Sequence, residues 1–275
     1  MKGWRRIARD LAPPVLLRAF RRAATDARHI RFVGNYGNWQ AALAASQGYA
    51  SEAIFEKTRA AAIRVARGEA VYERDSVVLD RVEYSYPVIA ALLRCACAND
   101  GRLRVLDFGG ALGTSYRQFK AFRTPLRELQ WSIVEQPRYV ECGRTQFAND
   151  ELRFFESIAA AVAHTKPNAV LLSGVLQYLE YPRRLIGEIA TSTSATVIVD
   201  RTSCSALAED VLTVQIVPPS IYDASYPCWI FSASGLLRSF GEKYRLDVTF
   251  TDTAHAWIGP KREFEIAGFV FEPKS

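Results

Sequence analysis

Beyond Leu103 the chain changes rhythm. Short apolar runs alternate with longer stretches in which apolar side chains recur at three- and four-residue intervals. The first pattern suits strands buried on both faces, the second helices with one buried side. It predicts strands over 103–108, 129–135, 152–156, 169–173 and 196–200, and helices near 114–122, 137–148, 158–165, 175–191 and 232–241. Such alternation builds a parallel sheet covered on both faces, an α/β fold. Two further strands, 244–251 and 264–272, have no helix between them and should pair antiparallel at the sheet edge. Upstream, 35–101 reads as helical. Ile54, Phe55, Thr58, Ala61, Ala62 and Val65 share one helical face, with Ser51 as N-cap and Gly68 as stop. A second helix should start near Pro87, bury Val88, Ile89, Leu92 and Leu93, and end at Asn99-Asp100-Gly101. The expected division is a basic arm over 1–34, a helical cap over 35–101 and the sheet domain over 102–275.

Charge sharpens that division. The chain of 275 residues carries a net charge of +6, yet residues 1–31 hold nine Lys/Arg against two Asp/Glu. The arm alone is thus +7 and the remainder −1, so the basic balance does not belong to the body. A nucleic-acid enzyme would place positive charge around its active site, and this chain is expected to bind no nucleic acid. The arm mixes arginine with Trp4, Ile7, Leu11, Leu16, Leu17 and Phe20, broken by Pro13-Pro14. It is too interrupted for a membrane span or signal peptide. A basic segment with an apolar side can instead lie on an anionic membrane, through residues 2–31, or pack on the body. Five cysteines with no CxxC pair argue against a disulfide framework and for a reducing cytoplasm. Three scattered histidines give no expectation of a metal site.

In an open parallel sheet, ligands bind beyond the carboxyl ends of the strands, so those ends carry the functional signal. The first strand ends in Asp107-Phe108-Gly109-Gly110-Ala111-Leu112-Gly113. Gly109, Gly110 and Gly113 let the backbone approach a ligand and adopt positive φ. Asp107 would repel a phosphate there, but it can hold an ammonium group, directly or through water. That combination points to S-adenosylmethionine rather than a dinucleotide. Glu135, after the second strand, can accept from both hydroxyls of a ribose. Glu156 or Ser157, after the third, could receive the adenine amino group, and Ser157 serves equally as an N-cap. The fourth strand leads through Ser173 to Gln177 and Tyr178, candidate acceptor contacts. The fifth ends in Asp200, a candidate general base or the partner of Arg201 in an ion pair. Finally, Val217 to Phe231 is rich in aromatics and proline and reads either as an acceptor-binding wall or as a core crossover.

These segments resemble a bacterial family of S-adenosylmethionine-dependent class I methyltransferases, often associated with surface-polysaccharide gene clusters. The matching stretches include Tyr36-Gly37-Asn38-Trp39, Tyr72-Glu73-Arg74-Asp75-Ser76, Tyr84-Ser85-Tyr86-Pro87, Asp107-Phe108-Gly109-Gly110, Val134-Glu135-Gln136-Pro137, Leu176-Gln177-Tyr178-Leu179, Asp200-Arg201-Thr202 and Pro218-Pro219-Ser220-Ile221-Tyr222. They span nearly everything after residue 32. The glycine loop departs from the commoner G-x-G-x-G form at Gly110 and Leu112. The resemblance implies a Rossmann-like class I methyltransferase sheet and says little of the substrate; a small-molecule or glycan methyl acceptor is the expectation. Asp200 would then serve as base, with Gln177 and Tyr222 orienting the acceptor; Glu83 or Tyr86 of the cap are alternative bases. Two other readings share the sheet: a non-catalytic adenosylmethionine-binding module, and a nicotinamide oxidoreductase, which Asp107 disfavours.

Overall fold

The computed structural model describes residues 30–47, 52–74, 76–219, 223–258 and 262–274. It begins with β1 (Arg31–Val33), α1 (Trp39–Ala44) and α2 (Glu52–Ala66), then a hairpin of β2 (Tyr72–Arg74) and β3 (Val77–Leu79), then α3 (Tyr86–Cys97). Strands and helices then alternate: β4 (Arg102–Phe108), α4 (Thr114–Lys120), β5 (Glu128–Val134), α5 (Pro137–Gln146), β6 (Leu152–Phe155), α6 (Ile158–Thr165) and β7 (Ala169–Ser173). A 3-10 turn, Leu176–Tyr178, leads to α7 (Pro182–Ser192) and β8 (Thr196–Ser205). The chain finishes with β9 (Val211–Val217), β10 (Ala224–Ser232), α8 (Ala233–Phe240), β11 (Tyr244–Ile258) and β12 (Arg262–Pro273).

Local sequence accounts for most of these elements. In β7, Ala169, Val170, Leu171 and Leu172 are wholly buried, as a central strand covered on both faces requires. Pro87 and Pro182 sit in the first turns of α3 and α7, where a missing N–H costs nothing. Ser157 caps α6 by accepting from the Ala160 amide at 3.2 Å, so the capping reading of that serine holds. Gly68, at φ +73, follows the end of α2 where a stop was expected.

The sheet runs β6-β5-β4-β7-β8-β12-β11 through its main part. The first five strands are parallel; β12 pairs antiparallel with β8 and with β11. This is the Rossmann-like order with an antiparallel C-terminal hairpin. Helices α3, α4 and α5 cover one face, where Leu92, Phe119 and Val140 pack around Trp131 and Ile133. Helices α6, α7 and α8 cover the other, with Ala161, Ile186 and Leu236 around Leu172 and Val197.

The sheet does not stop at β11. Phe32 of β1 pairs with Ile258, β1 pairs antiparallel with β9, and β9 with β10. β10 then returns to β8, with Phe231 opposite Cys204 and Ser232 opposite Ser205. Strands β8, β12, β11, β1, β9 and β10 therefore close into a ring fused to the parallel sheet through β8. The C-terminal hairpin, expected at an edge, is internal to this ring. The fifth strand, expected to end at Asp200, runs on to Ser205 because the ring supplies partners on both sides. Residues 217–231, read as a wall or a crossover, supply most of β10, and none of the described ones lines the cavities described below. Trp229 stacks near Trp39 at 6.3 Å and donates to the Leu179 carbonyl, which is the packing role.

Candidate functional site

A cleft opens where β4 and β7 diverge in chain order, beyond their carboxyl ends. Its floor is the loop after β4. Gly109 adopts φ +74, and a side chain there would lie 2.6 Å from a methyl of Val175. Gly110 answers a different need: a Cβ would sit 2.5 Å from Oδ2 of Asp107. The departure from the commoner glycine spacing therefore has a local cause, since the second glycine makes room for the carboxylate. Asp107 is 1% exposed and accepts from the Trp131 indole N–H at 2.9 Å. Burial pushes its pKa up to about 7, against the stabilising effects of Trp131 and Arg201. Gly113, at φ +96, starts α4 but does not line the cleft.

Glu135 stands at the next strand end, half-buried in the same cleft. Burial raises its pKa, while the amides of Gln136 and Ala111 donate to its carboxylate and oppose the shift. The Ala111 contact ties the acidic turn to the glycine loop. Ser173 also lines the cleft and donates to Asp200 Oδ2 at 3.0 Å. Glu156 and Ser157 lie elsewhere: Glu156 is exposed, 3.9 Å from Arg144, and Ser157 is occupied as a cap. Gln177 is buried at 3% exposure, outside the cleft lining, and donates to the Arg201 carbonyl at 3.0 Å. Tyr222 lies outside the described residues, as does Ser51.

The roof comes from the cap, and the sequence pattern did not single it out. Tyr72, Glu73 and Arg74 of β2 all line the cleft. Glu73 is 2% exposed, bonded to the Thr114 hydroxyl and 3.1 Å from Arg117. Gln118 donates to the Tyr72 hydroxyl at 3.2 Å and to the Glu83 carbonyl. The hairpin is thereby fastened to α4, the helix that follows the glycine loop. Three-residue strands between helices leave no periodicity to read, so this contribution was visible only as part of the resemblance.

Asp200 and Arg201 form the far wall. Asp200 is 7% exposed; burial raises its pKa, and Arg201, Ser173 and Arg74 counter that shift. Arg201 has φ +51, and its guanidinium lies 2.8 Å from where a Cβ on Gly174 would stand. Gly174, itself at φ +64, thus admits the guanidinium to the cleft. A second cavity adjoins the first and shares Arg74, Ser85, Asp200 and Arg201 with it. Of the alternative bases, Glu83 lines this second cavity and bonds Arg74 at 2.9 Å, whereas Tyr86 is exposed and lines neither. Among the described residues no cluster of His, Cys, Asp and Glu is arranged to hold a metal.

No known family model matches the sequence, and no curated protein matches it. Among solved structures, the chain is similar to the N-terminal domain of EvdMO1, crystallised in the presence of SAH and D-fucose. The two are 15% identical, with 74% of this chain and 90% of that one covered at a TM-score of 0.46. It is also similar to magnesium protoporphyrin IX methyltransferase from Synechocystis PCC 6803 with bound SAM: 15% identity, 67% and 76% coverage, TM-score 0.43. A third is the glycopeptide N-methyltransferase MtfA complexed with sinefungin: 10% identity, 67% and 93% coverage, TM-score 0.44.

Proposed function

We propose that the chain is an S-adenosylmethionine-dependent methyltransferase acting on a hydroxyl of a small-molecule or glycan acceptor. The observation that carries this reading is the Asp107 carboxylate tucked against Gly110, with Glu135 at the neighbouring strand end. The residues fit the cofactor: a side-chain-free cradle, a carboxylate for an ammonium group, and a second carboxylate for a ribose. A pyrophosphate would meet the buried Asp107 carboxyl group, an anion whenever it is ionised, instead of backbone donors, which disfavours the nicotinamide reading. Asp107, Gly109, Gly110, Glu135 and Ser173 would hold the cofactor. Bound there, adenosylmethionine supplies a sulfonium methyl group that passes to the acceptor oxygen, with the S–CH3 bonding pair returning to sulfur to leave adenosylhomocysteine. The protein's part is then placement and removal of one proton. Asp200, in the wall common to both cavities, takes the acceptor hydroxyl proton in its ionised form. Ser173 fixes that carboxylate by hydrogen bonding, and Gln177 fixes the backbone beside it. We assign Gln177 this positioning role in place of direct acceptor contact. We further infer, from sequence alone, that residues 2–31 make peripheral contact with anionic membrane.

Calorimetric titration with adenosylmethionine, adenosylhomocysteine and NAD tests the cofactor assignment. The first two should bind and NAD should not. Asp107→Ala and Gly109→Val should each weaken binding strongly, and Glu135→Ala by about 1–3 kcal/mol, as for lost hydrogen bonds to a charged group. Unchanged affinity in all three variants would sink the assignment. With an acceptor in hand, Asp200→Asn should lower turnover while cofactor affinity stays nearly constant; a chain that binds cofactor and yields no methylated product supports the non-catalytic alternative.

A further inference from the structure

The second cavity has a floor and a wall of different character. It lies between residues 83–87 of the cap and the strands β8, β11 and β12. Its floor includes Phe250, which pairs across the β11–β12 ladder with Gly268. A Cβ on Gly268 would stand 2.1 Å from Cε2 of that ring, so the aromatic occupies the space the glycine leaves. Glycine inside a strand weakens it, and here the vacated room is filled by an aromatic that also faces the cavity. Phe250 is half-buried: it packs on the sheet core and retains exposed surface.

The wall is polar and charge-balanced. Glu83 and Asp200 supply two carboxylates, Arg74 and Arg201 two guanidiniums. Arg74 and Glu83 are already paired at 2.9 Å, and Asp200 is held by Ser173 at 3.0 Å. Planar groups of this kind can each engage two adjacent hydroxyls. With two charges of each sign, the wall offers a phosphorylated or carboxylated ligand no excess positive charge. An apolar aromatic patch beneath a rim of planar donors and acceptors complements a molecule with one C–H face and a periphery of hydroxyls.

We propose that this second cavity is the acceptor subsite and takes a neutral sugar ring seated against Phe250. Asp200 belongs to both cavities, so a hydroxyl bound in the second faces the first across one carboxylate. The transfer to that hydroxyl rests on the methyltransferase reading above; the binding of the ring does not.

Saturation-transfer NMR on the full chain, with and without adenosylhomocysteine, tests this. The probes are a panel of neutral methyl hexopyranosides and 6-deoxyhexopyranosides, the corresponding hexuronates, and catechol as a flat aromatic of similar size. At least one neutral glycoside should receive saturation, strongest at the C–H protons of one ring face. Phe250→Leu and Phe250→Ala should each weaken that glycoside about tenfold, the range expected for losing an aromatic contact. Glu83→Gln, at a partly exposed site, should weaken it without lowering the melting temperature, which keeps the test open should the Phe250 variants fold poorly. The proposal is overturned if no neutral glycoside binds, if hexuronates or catechol outcompete every one, or if the Phe250 and Glu83 variants bind as the parent does. Loss of adenosylhomocysteine binding alone would remove the methyltransferase reading and leave the sugar result standing.

Discussion

The two adjacent glycines of the loop after β4 meet different neighbours, Val175 for Gly109 and the Asp107 carboxylate for Gly110. Gly110→Ala should therefore push the carboxylate off Trp131. The expected result is a shift of the Trp131 indole N–H resonance together with weakened adenosylmethionine binding; an unmoved resonance would refute the coupling. Protonation gives an independent check. Burial holds the folded-state pKa of Asp107 near about 7, well above its unfolded value. The native state thus keeps a proton that the unfolded chain releases. This stabilisation is complete below the ordinary carboxylate range and is lost as pH rises through about 7. Urea unfolding of the parent against Asp107→Asn should show the parent losing relative stability between about pH 4 and 7. If the ionised form holds an ammonium group, adenosylmethionine affinity moves the other way over that interval, rising with pH. Asp107, Gly109, Gly110, Glu135, Ser173 and Asp200 were legible in the sequence because each ends or follows an apolar strand, where an isolated polar residue or glycine stands out. Arg201 was not: its place in the cleft depends on the left-handed backbone at 201 and the missing side chain at 174, neither of which leaves a pattern.

At the level of elements, a buried contact set around Glu73 helps hold the hairpin β2–β3 over the cleft, beside the Gln118–Tyr72 bond. Glu73, with Thr114 and Arg117, links β2 to α4. Burial lowers the pKa of Arg117 and Glu73 opposes that shift, so the pair exists at a desolvation cost met by mutual attraction. Removing one member strands the other: Glu73→Gln should cost about 3–5 kcal/mol in chemical denaturation, and Glu73→Leu combined with Arg117→Met appreciably less than the sum of the two single changes. Additive losses would show that the pair does not fasten the hairpin. The same scale explains what the apolar pattern conveyed. β7 and the first half of β8 are nearly continuous apolar runs, and β4 and β5 interleave apolar with polar positions, so all four were found. The second half of β8 reads Arg-Thr-Ser-Cys-Ser, with Thr202, Ser203 and Ser205 buried by pairing with β10 and β12, and nothing local announces a strand. β1 to β3 are each three residues long, too short for alternation to show.

On the scale of the whole molecule, the ring decides where the basic arm joins the body. β1, Arg31–Val33, lies within the stretch 1–34 read as arm and is set between β9 and β11, so the end of that stretch belongs to the ring and the basic residues before it join the body there. Full-length protein should co-sediment with vesicles containing anionic lipid, salt should weaken this, and a chain beginning at Phe32 should stay in the supernatant; each basic residue near such a surface contributes about 1 kcal/mol before screening. Equal behaviour of the two chains would remove the membrane inference and leave the cleft untouched. The ring also imposes a timetable on synthesis. β1 leaves the ribosome well before its neighbours β9 and β11, which lie roughly two hundred residues further along the chain. The parallel strands can pair as they emerge, but β8 must wait for β12 with one flank open. Along the end of that flank lie Thr202, Ser203 and Cys204, whose partners in β12 are Ala267, Ile266 and Glu265. Until β12 arrives, the unpaired backbone of that flank is a template for stray strands, and it stays open until β9, β10, α8 and β11 have all been made.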